Sequence, residues 1–106
     1  MVFGFLKDKE LDNFARDLAN DIHRSFPPTR FPPDGKLAAR DASSLVKVVQ
    51  RFSDNVQAYQ KKNQLGLVKR LKLSNAFQTE LAAFGYGDAF VREVTLRMTM
   101  ILSGRT

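Results

Sequence analysis

Cysteine and tryptophan are absent from the 106 residues, and histidine occurs once, at His23. Without cysteine there are no disulfides, thiolate metal sites or cysteine nucleophiles. Small secreted domains commonly lean on disulfides, so a chain without them is expected in the cytoplasm. With one histidine and no thiol, a metal site would need carboxylates nearly alone, and neither metal nor cofactor is expected. No run approaches the roughly 20 apolar residues that span a bilayer. The apolar start, Val2 to Leu6, is short, has no basic residues ahead of it and meets Lys7 and Asp8 at once. That does not suit a leader, so these residues are expected in the folded chain.

The motifs of catalysis are missing as well. No Gly-x-Ser-x-Gly elbow occurs, and a Ser-His-Asp set would have to recruit His23. Neither the phosphate-loop pattern nor the dinucleotide glycine pattern is present, and Gly85-Tyr86-Gly87 is too short to stand for either. His23 falls about 120° from the centre of its helix's apolar stripe, where a solvated residue is expected. Asp17 and Asp21, one turn apart, could share acid–base work only if one were buried, and their basic neighbours mark a solvated face. The chain is therefore not expected to be an enzyme.

The apolar fraction is 43% and the charged fraction 26%, which suits a folded globular chain. Its length closes one hydrophobic core, so residues 1–106 are expected to form a single helical domain. Nine phenylalanines supply most of the aromatic packing.

Apolar spacing predicts four helices. Leu11, Phe14, Ala15, Leu18 and Ile22 form one stripe on a helix over about Lys9 to Ser25. The unit Phe-Pro-Pro then occurs twice, at Phe26 and Phe31. Proline denies the helix an amide donor and restricts the residue before it, so an extended connection ending in an Asp34-Gly35 turn is expected. The two rings should fold back onto the core. The second helix runs from Asp41 or Ala42 to Lys62, with Asp41 or Ser43 as N-cap and an inner stripe of Leu45, Val48, Val49, Phe52, Val56 and Tyr59. The third spans Leu65 to Phe84 but carries two stripes. Leu67, Val68 and Leu71 define one, and Leu73, Phe77, Leu81 and Phe84 the other, rotated by more than a quarter turn. One straight helix does not bury both, so a kink or split near Ser74 is expected. Gly85 should end that helix in the left-handed region, and Asp88 should cap a fourth helix ending near Leu102. Leu96, Met98, Met100 and Leu102 also alternate like a strand. The capping signals favour helix, which puts Leu96 and Met100 on the outer face. The expected fold is an all-α bundle of four main helices, with short turns making antiparallel neighbours of helices two and three and of helices three and four.

The net charge of +6 is unevenly spread. Residues 1–34 hold five basic and six acidic residues, residues 35–72 nine basic and two acidic, and the remainder three of each. The whole excess lies in the middle third. A concentrated basic surface draws acidic partners, although the same charge can simply keep a protein soluble. Lys47, Arg51, Lys61, Lys62, Lys69, Arg70 and Lys72 are the candidate anion or nucleic-acid contacts, with a helix-turn-helix conceivable around Asn63 to Gly66. No zinc-finger or aromatic RNA-binding motif accompanies them. Phe3, Phe5, Leu6, Leu96 and Met100 are the candidate contacts to a protein partner or a second copy. The sequence thus favours a small non-catalytic interaction module, capable of forming a homodimer, with nucleic-acid binding as the alternative.

Overall fold

The computed structural model describes the backbone of residues 2–33 and 35–104, and the side chains of residues 9–33 and 35–104. Among these residues the helices are α1 (Val2–Ser25), α2 (Ala39–Asn63), α3 (Leu67–Ala83) and α4 (Asp88–Leu102), with a 3-10 turn at Pro28–Arg30. No strand occurs among the described residues, and the alternating segment at the end of the chain is helical.

The helices run up, down, up, down, but chain order is not the order around the bundle. α1 packs most extensively on α3, α3 on α4, α4 on α2, and α2 on α1. Arg16 reaches Glu80 and His23 stacks on Phe84, so α1 and α3 lie parallel. Phe14 stacks on Tyr59 and Arg51 meets Asp21, so α1 and α2 are antiparallel. The Gly85–Gly87 turn makes antiparallel neighbours of α3 and α4, as expected. The turn after Asn63 does not do the same for α2 and α3. They face each other across the diagonal, where the Phe52 and Phe77 rings meet with centroids 5.1 Å apart.

The core is the set of stripes read from the sequence. Leu11, Ala15, Leu18 and Ile22 from α1 meet Val48, Phe52 and Val56 from α2, Leu73, Phe77 and Leu81 from α3, and Val91, Val94 and Met98 from α4. Burial of these apolar groups stabilises the bundle by about 25 cal/mol per Å² removed from water.

Three local expectations are corrected. α1 begins at Val2 rather than near Lys9. Glycine inside the apolar opening run hides a helical period there, and the stripe becomes visible only at Leu11. α3 is not split near Ser74 but runs unbroken from Leu67 to Ala83, and the kink lies in α1 rather than α3. Only Leu73, Phe77 and Leu81 of α3 are buried, while Leu67, Val68 and Leu71 are exposed. A straight helix therefore has one stripe to bury, and the reason to bend disappears. Finally, the N-caps fall one or more residues earlier. Ala38 and Gly87 occupy the cap positions of α2 and α4, with no side-chain hydrogen bond at either. Asp41 and Asp88 lie inside the first turns, where a carboxylate still favours the helix dipole. Asp41 instead holds Arg30 of the proline-rich connection.

The connection is pinned by its phenylalanines. Phe26 is fully buried, and Phe31 packs edge-on to it at 5.1 Å and against Phe90 at 5.0 Å. The Arg30 guanidinium lies 4.4 Å over the Phe26 ring. Tyr86 closes the cluster, its buried hydroxyl donating to the Phe26 carbonyl at 2.6 Å. Gly35 takes the left-handed φ of 76° and its N–H donates to Pro32 O at 3.0 Å; Asp34 lies outside the described residues. Gly85, at φ 96°, ends α3 in the left-handed region as expected.

Candidate functional site

The candidate contact residues on α4 stand where the helical period put them. Met98 and Ile101 turn inward, and Leu96 and Met100 turn outward, 53% and 45% exposed. They border an open groove of about 390 Å³ between α2 and α4. The α2 wall is Gln50, Ser53 and Gln57, one turn apart on a single uncharged stripe. Glu93 and Arg97 complete the α4 wall. They are one turn apart, and neither is in an ion pair among the described residues. The groove thus combines two exposed apolar side chains, amide groups able to donate and accept, and one unpaired charge of each sign. Phe3, Phe5 and Leu6 lie on the first turns of α1, and their side chains fall outside the described residues.

The seven basic residues do not gather into one face. Lys47, Lys61 and Lys62 are exposed on the outer side of α2. Arg51 lies among them but is engaged: its Nε donates to Asp21 at 2.8 Å, and its guanidinium also reaches the Ser25 hydroxyl. Across the diagonal, Arg70 donates to the Leu65 carbonyl at 3.0 Å and so closes the turn between α2 and α3. The Lys69 ammonium is buried without a hydrogen-bond partner, beside a small cavity of about 230 Å³ that Glu10, Tyr59 and Asn63 also line. Lys72 is exposed on α3. Burial and the neighbouring Glu10 carboxylate both raise the Tyr59 pKa above its usual 10, burial being the larger cause.

His23 is less solvated than its wheel position suggests. Its ring stacks on Phe84 at 4.2 Å and meets Tyr86 edge-on at 6.5 Å. Asp21 is committed to Arg51, and Asp17 is exposed. Among the described residues, no group of three or more His, Cys, Asp or Glu is placed to hold a metal ion. No helix among them is long and apolar enough to cross a membrane.

One exposed cluster escaped the sequence reading. Leu67, Val68 and Leu71, at the start of α3, are 66%, 64% and 59% exposed. The signal was present: a second apolar stripe that conflicts with the first. Such a conflict can mean a bent helix or a stripe that is not core at all, and here it means the latter.

No family model, curated protein or solved structure matches the chain.

Proposed function

We propose that this protein is a non-catalytic interaction module whose contact surface is the groove between α2 and α4, and that its partner is a second copy of the chain. The observation that carries the reading is the exposure of Leu96 and Met100 on a concave surface. Their neighbours fit a protein partner. Leucine and methionine supply apolar area, and arginine is the cation enriched at protein interfaces, where lysine is depleted. Glu93 and Arg97 favour a copy of the same surface. In a two-fold contact with α4 antiparallel to itself, each Glu93 faces the Arg97 of the other copy, so one patch satisfies its own charges. Among the described residues neither is in an ion pair, and Gln57 on the α2 wall is exposed beside them.

Sedimentation velocity across micromolar concentrations tests the reading. The expected result is a concentration-dependent dimer that Leu96→Glu or Met100→Glu converts to monomer without changing helicity. A wild-type chain that stays monomeric at every concentration overturns the homodimer. The alternative, nucleic-acid binding, draws on the exposed Lys47, Lys61 and Lys62 of α2. It requires an affinity for DNA or RNA that falls steeply with salt.

A further inference from the structure

We propose that the corner where α2 turns into α3 docks on an anionic lipid surface. Three observations converge there. First, Leu67, Val68 and Leu71 are three of the most exposed large apolar side chains among the described residues, and they fall within five consecutive positions. At about 100° per residue they share an arc of about 100°, turned away from the buried stripe of Leu73, Phe77 and Leu81. Second, residues 55–79 hold no acidic residue, and of their basic residues Lys61 and Lys62 are exposed beside the corner, while the Lys69 ammonium is buried and Arg70 binds the Leu65 carbonyl. Lys61 and Lys62 lie in the last turn of α2, exposed, immediately before the three-residue turn that leads to Leu67. Third, the pairing of residue types is selective. The cluster has aliphatic side chains and flanking lysines but no exposed aromatic or arginine, whereas protein interfaces favour aromatics, methionine and arginine over lysine.

A bilayer surface answers both halves of this chemistry at once. The acyl boundary takes the aliphatic groups, and the phosphate and carboxylate headgroups take the ammonium groups, whose long stems reach out beside them. Nucleic acid would use the lysines and leave three aliphatic side chains in water. A neutral bilayer would use the aliphatic groups and leave the charge unanswered. The occupant that fits is therefore the headgroup layer of an anionic membrane, entered by the first turn and a half of α3 with Lys61 and Lys62 at its edge. The surface is distinct from the α2–α4 groove and does not rest on it.

Co-sedimentation of the full chain with phosphatidylcholine vesicles, with and without phosphatidylserine, tests this at low and high salt. The expected result is binding only to the phosphatidylserine vesicles, weakened by salt. Replacing Lys61 or Lys62 by Gln should weaken it by about fivefold each. Leu67→Gln combined with Leu71→Gln should abolish binding while circular dichroism stays unchanged, because both residues are exposed. Lys47→Gln, on α2 but away from the corner, should leave binding as it is. The proposal fails if the wild-type chain ignores phosphatidylserine vesicles, or if the Leu67/Leu71 variant binds them as well as wild type. It fails equally if the lysine variants lose affinity for an RNA or DNA duplex while vesicle binding does not change. A loss of dimer in Leu96→Glu with vesicle binding intact would separate this surface from the groove.

Discussion

The two ends of the bundle use their apolar side chains in opposite ways. At the end where α1 stops and α4 starts, Phe26, Phe31, Tyr86 and Phe90 converge in one ring cluster, with Phe84 and His23 stacked beside it. At the end where α2 turns into α3, Leu67, Val68 and Leu71 point into solvent. The first end converts a proline-rich connection, which cannot hydrogen-bond as a helix, into a fixed cap. The second leaves a helix start bare. Side chains that bury themselves hold the fold, and side chains the fold leaves uncovered are free to hold something else.

The comparison breaks most severely at Phe26. Its side chain is fully buried and in contact with another ring and a guanidinium. Phe26→Ala removes the anchor of the connection and should cost roughly 3–5 kcal/mol. Urea unfolding followed by circular dichroism measures this, and a cost below about 1 kcal/mol would mean that the ring cluster is not cooperative with the core.

Tyr86 gives the next largest effect and a pH signature. Burial raises its pKa from 10.0 to about 12. A phenol whose folded pKa is raised stabilises the fold fully below pH 10, and that contribution is lost as pH climbs from about 10 to about 12. The buried hydroxyl donates to the Phe26 carbonyl, which an ionised phenolate cannot do. Tyr86→Phe should cost about 1–3 kcal/mol at neutral pH, by leaving the carbonyl without its donor, and should flatten the alkaline slope. An unchanged slope in that variant would assign the alkaline loss to another group.

How much of this was legible in the sequence depends on whether the deciding contact is local. The stripes of α1, α2 and α4 are local and legible in the spacing alone, and so is the place of Leu96 and Met100 on the outer side of α4. The long opening of α1 was not, because Gly4 interrupts the period at the stage where Leu11 has not yet set it. Both α3 stripes are visible in the spacing, but spacing reports an apolar face without reporting what lies opposite it, and only one of the two is buried. The basic residues looked like one patch because they are near in sequence. Arg51 instead meets Asp21, 30 residues away, and Arg70 turns back to Leu65, neither of which a charge pattern reveals. The α2–α3 turn was read as joining neighbours, whereas the Phe52–Phe77 contact sets the two helices across the diagonal. Spacing puts His23 on a flank and predicts it solvated, whereas it stacks on Phe84, a contact that depends on α1 and α3 running parallel.

The smallest expected effect sharpens the comparison within a single helix. Leu71 and Leu81 are the same residue type on α3, one exposed and the other fully buried. Leu81→Ala should cost about 2–5 kcal/mol, through lost burial and the cavity left behind. Leu71→Gln should change unfolding free energy by no more than about 0.5 kcal/mol, because its side chain already meets water in the folded state. If the helix had bent to bury both stripes, the two substitutions would cost similar amounts, and the start of α3 would have nothing apolar left to offer a partner. A near-zero cost at Leu71 together with a large cost at Leu81 makes the exposed stripe a surface the fold does not need. That is the condition under which selection for another contact can keep it apolar.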